Sequence, residues 1–142
     1  MFKVNFYESA DDQFFKVAVI AARFEGKWIF CRHKDRETYE IAGGHREEGE
    51  AILNTAKREL FEETGAIEFD IEPVCVYAGD RDGVERYGMF YFAEVKKLGK
   101  LPDMEIAEIK LFDDIPENLT YPAIQKPLFE KLKEYLKQKD QK

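Results

Sequence analysis

Residues 43–67, GGHREEGEAILNTAKRELFEETGAI, constrain the fold more than any other stretch of the chain. Two glycines open the stretch, and a helical pattern over residues 51–64 ends at Gly65, a residue type favoured just after a helix. The apolar residues predicted on the core-facing side of this helix are Ile52, Leu53, Ala56 and Leu60. The pattern therefore predicts a tight glycine loop that leads into an amphipathic helix packed on a core.

Three acids on this helix, Glu59, Glu62 and Glu63, are close enough in sequence to repel one another. Glu59 and Glu63 fall at the boundary between the apolar side and water, and Arg58 lies one turn before Glu62, where it can pair with that acid. Acids that were only solvated would point away from the core. Because Glu59 and Glu63 do not, we expect a positive charge beside them. Carboxylates beside the free carbonyls of a glycine loop suit Mg²⁺ or Mn²⁺. A charged surface helix without a ligand is the alternative interpretation.

The apolar runs elsewhere predict strands before and after this helix. FFKVAVIAARF and WIFCRHK form one predicted hairpin around EGK, and IEFDIEPVCVYAG and RYGMFYFAEVKKL form a second across DRDGVE. Residues 109–112 predict a further short strand, and residues 122–137 predict an amphipathic terminal helix. This order lacks the regular alternation of a doubly wound parallel sheet, so it favours an α+β sandwich with a mixed sheet.

Length and composition predict one domain spanning residues 1–142, with a polar tail from about residue 137. A net charge of -7 argues against a long nucleic-acid footprint. No apolar stretch approaches the roughly 20 residues of a membrane span, and the first residues lack a signal-peptide pattern. Cys31 and Cys75 match no metal-binding spacing and predict free thiols. We expect a cytoplasmic protein without a membrane partner, and no residue indicates its oligomeric state.

The glycine and polar positions of this stretch resemble the signature of the Nudix hydrolase family. The matching residues are Gly44, Glu50, Arg58, Glu59, Leu60, Glu62, Glu63 and Gly65. Ala42 and Ala66 depart from the residues that the family favours there, and both positions are structural. The resemblance implies a Nudix-type α/β/α sandwich with a mixed sheet, in which the signature helix follows the glycine loop.

The resemblance also implies an enzyme that hydrolyses a nucleoside diphosphate linked to another group, with Mg²⁺ or Mn²⁺ as cofactor. Carried over by position, Glu59, Glu62 and Glu63 would bind the divalent cations, helped by a main-chain carbonyl of Gly43 or Gly44. Arg58 would hold Glu62, and Glu50 would brace the loop against the helix. The general base differs among family members. The candidates in this chain are Glu105 and Glu108, which are equally well interpreted as surface acids.

The flanking sequence is similar to the MutT-like branch, which cleaves nucleoside triphosphates, including 8-oxo-dGTP. An RNA 5′-pyrophosphohydrolase and a non-catalytic nucleotide-sensing module are the alternatives, and ADP-ribose and nucleotide sugars also remain open. The residues that could contact outer phosphates are Arg32, Lys34 and Arg36, and those that could read a base edge are Asn118 and Thr120. Tyr39, Phe90 and Tyr91 could stack on a base, but strand aromatics more often belong to a core. His33 lies among the three cations and could also contact outer phosphates, but it is not assigned as a catalytic base.

Overall fold

A computed structural model describes residues 1–140, which form one mixed seven-stranded sheet with a helix on each face. The strands and helices, in chain order, are β1 (Phe2–Tyr7), β2 (Phe15–Phe24), β3 (Lys27–His33), β4 (Ala42–His45), α1 (Ile52–Thr64), β5 (Ala66–Arg81), β6 (Val84–Leu98), β7 (Ile106–Phe112) and α2 (Pro122–Asp140). A short 3₁₀ helix, Asp12–Phe14, precedes β2. The strand order and the two helices confirm the predicted α+β class.

The sheet runs in the order β1-β5-β6-β2-β3-β7, and β4 pairs with β2 outside this path. The β2–β6 pair is parallel and the other pairs are antiparallel. Strand β2 changes partner along its length, because Val17–Ile20 pairs with β4 whereas Ala22–Phe24 pairs with β3. Strands β3 and β4 therefore separate from each other next to α1.

Alternating side chains of the sheet build two cores. On one face, Ala18 and Ile20 of β2 pack with Leu60 of α1. On the opposite face, Phe30 and Phe90 pack with Phe129 of α2. Period-two alternation in the strands thus covers each face of the sheet with one helix, as in an α/β/α sandwich.

Both predicted hairpins are present, and each turns through two residues with positive φ. The first turn contains Glu25 at 52° and Gly26 at 81°, and the second contains Asp82 at 53° and Gly83 at 89°. Two central residues with positive φ define the turn type that best matches the twist of paired strands. Acid-glycine pairs in the sequence therefore locate both turns.

Several details differ from the sequence predictions. Strand β1 was not predicted, β7 begins before residue 109, and α2 continues through residue 140, so the tail predicted from residue 137 is helical as far as the structure describes it. Gly43 and Gly44 lie in β4 rather than in a loop. Leu53 was placed on the core side but is 38% exposed, because Thr55 occupies the buried position instead. Among the described residues, no helix is long and apolar enough to cross a membrane.

Candidate active site

Arg58 is the centre of the polar cluster on α1. Its Nε and Nη2 donate to the two carboxylate oxygens of Glu50 at 2.7 and 3.0 Å. Nη1 donates to Glu59 at 2.8 Å and to Glu62 at 3.2 Å, and Nη2 also donates to the carbonyl of His45 at 3.1 Å. These contacts, those to Glu50 foremost, raise the pKa of Arg58. Its five N–H donors thus all have protein acceptors.

Glu50 joins the loop before α1 to the helix itself. Besides Arg58, its carboxylate accepts from the Thr55 hydroxyl at 2.7 Å and from the Glu47 amide at 3.1 Å. Hydrogen bonds from Arg58 and then Thr55 lower the pKa of Glu50 to about 2. The helix has Ala51 at its N-cap, which offers no side-chain cap. Glu50 therefore holds the first turn of α1 in place from the preceding position.

Glu59 lies against the bare backbone of β4. A Cβ atom added to Gly44 would approach the Glu59 carboxyl carbon and Oε1 to 2.4 Å, so a side chain at residue 44 would displace this carboxylate. Burial raises the pKa of Glu59, opposed by Arg58 and supported by the nearby acids Glu62 and Glu105. Gly44 therefore allows the observed position of the Glu59 carboxylate, and its own φ angle does not demand a glycine.

Glu63 is the most buried acid of the helix, with only 6% of its surface exposed. Its Oε1 accepts a hydrogen bond of 2.8 Å from the amide of Gly43. Burial raises the pKa of Glu63 to about 8, and the neighbouring carboxylates Glu59, Glu40 and Glu105 add to this rise against the effect of the Gly43 amide. Within residues 1–140, Glu63 has no ion pair with a lysine or arginine that would favour its ionised form.

A second polar group lies beside Glu63, at the end of β3. Nε2 of His33 is 3.0 Å from Oε1 of Glu40 and 3.7 Å from Oε2 of Glu63. Nδ1 of the same ring is 3.9 Å from Oε2 of Glu105. Arg36 donates to the other oxygen of Glu40 at 3.3 Å. Acids from three separate parts of the chain thus converge on one histidine.

Sequence analysis missed Glu40 as part of this site and considered His33 only as a possible phosphate contact. Glu40 is 8% exposed and forms a β-bridge with Cys31, which brings both residues beside α1. The sequence signal for Glu40 was slight: an acid between Tyr39 and the buried pair Ile41–Ala42. Only the separation of β3 from β4 brings this acid next to the helix.

Of the two candidates for the general base, the structure brings only Glu105 close to the carboxylates of α1. Its charge contributes to the raised pKa of both Glu59 and Glu63. Glu108 instead accepts from the Tyr39 hydroxyl at 2.8 Å and from Nε of Arg32 at 3.2 Å. These two hydrogen bonds, Tyr39 first, lower the pKa of Glu108 and leave it a weaker base.

The predicted phosphate-binding residues lie around the end of β3, and each is paired with an acid. Arg32 contacts Glu108, Lys34 contacts Asp103 at 3.0 Å, and Arg36 contacts Glu40. Of the three, Arg36 is connected to the cluster by the shared partner Glu40, which also contacts His33. Its guanidinium also lies 5.6 Å from the ring centre of Tyr121.

The residues predicted to read a base edge join two loop segments. Asn118 donates to the carbonyl of Glu37 at 3.3 Å, and the hydroxyls of Thr120 and Thr38 are 2.7 Å apart. Tyr39 is half-buried between these segments. The other two proposed stacking aromatics, Phe90 and Tyr91, are buried in opposite cores and present no ring to a ligand.

The residues present fit a divalent cation. Glu59 and Glu63 are largely buried, their pKa values are raised, and Arg58 is already shared among four acids. Carboxylate oxygens are the donors that Mg²⁺ and Mn²⁺ prefer. Gly44 leaves room for the Glu59 carboxylate beside β4. The site thus offers more carboxylate oxygens than nearby positive charges, and a divalent cation would balance them.

The chain matches a known protein family over most of its length. The family described as NUDIX domain matches residues 14–132. A Bacillus subtilis (strain 168) protein named "Putative 8-oxo-dGTP diphosphatase YtkD" is 37% identical over 119 residues, which cover 79% of this chain and 73% of that protein.

Solved structures show the same fold. The crystal structure of the Bacillus subtilis pyrophosphohydrolase BsRppH superposes with a TM-score of 0.78 at 29% identity, covering 94% of this chain and 90% of that one. The NUDIX domain of Shewanella oneidensis NrtR, complexed with ADP ribose, has a TM-score of 0.66 at 17% identity, covering 90% and 94%. The chain therefore belongs to the Nudix hydrolase family and has its α+β fold.

Proposed function

We propose that this Nudix pyrophosphohydrolase cleaves a nucleoside triphosphate of the (8-oxo-)(d)GTP type to a nucleoside monophosphate and pyrophosphate. The observation that carries the proposal is the carboxylate pair Glu59 and Glu63, buried beside the glycines of β4. The 37% identity to YtkD supports the choice of substrate. The proposed partner is therefore a small nucleotide.

Glu59, Glu62 and Glu63 are the proposed cation ligands, together with a carbonyl of Gly43 or Gly44. A bound Mg²⁺ or Mn²⁺ would supply positive charge to the phosphates and acidify a water molecule. Arg58 holds Glu59 and Glu62 in one orientation through Nη1. Glu50 in turn holds Arg58, so it acts on the site as a positioning residue.

Glu105 is the proposed proton acceptor for the attacking water. Its side chain is 80% exposed and lies next to His33, so it can move toward a substrate. Glu108 is disfavoured by its two hydrogen bonds from Tyr39 and Arg32. In the proposed reaction the water oxygen bonds to the β-phosphorus, the bond from that phosphorus to the α-bridging oxygen breaks, and the nucleoside monophosphate leaves.

Arg32, Lys34 and Arg36 are the proposed contacts for the outer phosphates, and Asn118 and Thr120 for the base edge. The three cations lie at the end of β3, with Arg36 connected to His33 through Glu40. An incoming phosphate would compete with the acids that now hold them. We also propose a cytoplasmic location, supported by the free thiols of Cys31 and Cys75.

The second candidate is removal of pyrophosphate from an RNA 5′ end. It is favoured by the similarity of the whole fold to BsRppH, a pyrophosphohydrolase, at a TM-score of 0.78. The net charge of -7 opposes an extended RNA contact, although a single 5′ nucleotide requires only a small one.

The deciding experiment compares kcat/KM for dGTP, 8-oxo-dGTP, dATP, ADP-ribose and a 5′-triphosphorylated RNA with Mg²⁺ or Mn²⁺. We expect a guanine nucleotide to lead, because hydrogen bonds to a base edge reject a wrong base strongly. In ¹⁸O-labelled water the label should enter pyrophosphate and not the monophosphate. A lead for the RNA or for ADP-ribose would contradict the nucleotide-pool substrate.

A further inference from the structure

Arg46 closes the loop that connects β4 to α1. Its main-chain amide donates to the carbonyl of Lys16 in β2 at 2.9 Å, so the start of the loop is fixed to the sheet. Its side chain reaches across the loop, and Nε donates to the carbonyl of Glu50 at 2.6 Å. Gly49, with a φ of 77°, lies between these two ends. One residue thus holds both the first and the last position of residues 46–50.

The rest of the Arg46 guanidinium is bound to the segment that leads into β2. Nη1 donates to the carbonyls of Asp12 at 2.7 Å and Phe15 at 3.5 Å, and Nη2 donates to the Asp12 carboxylate at 2.6 Å. The Asp12 side chain is 67% exposed, whereas that of Arg46 is 19% exposed. Because an exposed ion pair contributes little, the carbonyl contacts determine where the guanidinium lies. Its planar, forked donors can reach these carbonyls together.

Glu50 is therefore held at both ends by arginines. Arg46 binds its main-chain carbonyl, and Arg58 binds both oxygens of its carboxylate. Through Nη1, Arg58 in turn contacts Glu59 at 2.8 Å and Glu62 at 3.2 Å. A continuous series of hydrogen bonds thus connects the Glu50 backbone to the acids of α1.

We propose that Arg46 is a positioning residue of the active site, which places Glu50 and, through Arg58, the carboxylates that bind the cation. The inference rests on the proposed role of Glu59 and Glu62 as cation ligands. Residues that hold the ligands of a metal typically contribute about 10–100-fold to its affinity. Arg46 acts from further away than Arg58, so we expect a loss at the lower end of this range when its donors are removed.

Titration of the full chain with Mn²⁺, without nucleotide, tests the proposal, with the free ion followed by electron paramagnetic resonance. Arg46→Met should lower Mn²⁺ affinity about tenfold, and Arg46→Lys should also lower it, because an ammonium cannot bind the carbonyls together. Asp12→Asn, which removes only the charge of the exposed ion pair, should stay within about twofold of the wild type. A loss in Asp12→Asn as large as that in Arg46→Met would contradict the proposal.

A double-variant cycle separates positioning from a general loss of structure. Glu50→Ala keeps the carbonyl that Arg46 contacts and removes the carboxylate that Arg58 contacts. In this background Arg46→Met should change Mn²⁺ affinity by less than about twofold, because the two residues act through the same contacts. An equal loss in both backgrounds would overturn the proposal, since Arg46 would then act on the fold and not through Glu50.

Wild-type Mn²⁺ affinity in both Arg46 variants would refute the proposal directly, and this result is distinguishable from failure of the proposed function. Wild-type affinity in Glu59→Gln would instead refute the ligand assignment on which the inference rests. The titration contains no nucleotide, so its result stands even where no tested nucleotide is cleaved.

Discussion

At the scale of single residues, burial distinguishes the three acids of α1 that the sequence alone treats as equivalent. The side chains of Glu59 and Glu63 are 13% and 8% exposed, whereas that of Glu62 is 23% exposed. Glu59 and Glu63 have raised pKa values, caused mainly by burial. A bound cation would therefore interact most strongly with Glu59 and Glu63, the two acids that water solvates least.

Replacement of Glu59 or Glu63 by glutamine should lower kcat by orders of magnitude and leave the fold intact. Glu59→Gln removes one charge from a group of acids that repel one another, and Glu63→Gln replaces a carboxyl group whose pKa burial raises to about 8, so the metal-free protein should not lose stability. Steady-state hydrolysis with Mg²⁺ and thermal unfolding without metal measure the two effects. Glu48→Gln, an exposed acid in the preceding loop, is the control. Near-normal turnover in either variant would refute the ligand assignment.

The raised pKa of Glu63 predicts how stability changes with pH in the absence of metal. Between the ordinary value of 4.5 and about 8, the folded protein keeps a proton on Glu63 that the unfolded chain releases. Stability should therefore fall as pH rises through this window, by on the order of 3–5 kcal/mol from this group. Denaturant unfolding with a chelator present should show a flatter profile for Glu63→Gln. Identical slopes in both proteins would mean that Glu63 titrates normally.

At the scale of elements, the short strand β4 serves both the sheet and the site. Its two glycines have different neighbours: a Cβ on Gly43 would lie 2.8 Å from the carbonyl of Ala18 in β2, and one on Gly44 would meet the Glu59 carboxylate. The first neighbour is backbone and the second is the end of a flexible side chain. The same substitution should therefore have different effects at adjacent positions.

Gly44→Ala should reduce kcat/KM by about tenfold or more with a small loss of stability, because Glu59 can rotate away from the added methyl group. Gly43→Ala should instead lower the melting temperature, because β2 and β4 must move apart, and such strain costs on the order of 1–3 kcal/mol. Hydrolysis rates and thermal unfolding of both variants check this pair. A Gly44→Ala enzyme with unchanged turnover would show that Glu59 does not need its observed position.

The sequence predicted the elements with strong local patterns and missed those that depend on partners. Helix α1 and both hairpins follow from apolar periodicity, the αL residue Gly65 and the acid-glycine turns. Strand β4 has little strand propensity, because two of its four residues are glycines. It forms by pairing with four residues of β2, which no local pattern shows. Likewise, nothing local places Glu40 beside Glu63. The signature residues could be identified from the sequence, but which other residues lie beside them depends on how the strands are connected.

At the scale of the whole molecule, the candidate site joins parts of the chain that are distant in sequence. Residues of β3, β4, α1 and the segment before β7 meet there, and α1 contacts β2, β4 and β3. A ligand that binds this junction binds only the folded chain. Its binding free energy should therefore appear as global stability.

Mn²⁺ or Mg²⁺ should raise the melting temperature of the wild type, with a stabilisation of about 2.7 kcal/mol at a hundredfold excess over the dissociation constant. The shift should be much smaller in the double variant Glu59→Gln, Glu63→Gln. Differential scanning calorimetry at several metal concentrations gives both values. Equal shifts in the two proteins would place the ions elsewhere on the chain.

The complete engagement of Arg58 affects the order in which ligands arrive. Its five N–H donors serve Glu50, Glu59, Glu62 and the His45 carbonyl, so Arg58 has no N–H left for a phosphate. A free nucleotide polyanion approaching these acids meets net repulsion. Productive encounters should therefore involve metal-loaded protein or a metal–nucleotide complex. Reaction velocity should follow the concentration of that complex, and chelation of the cation by excess nucleotide should slow the enzyme.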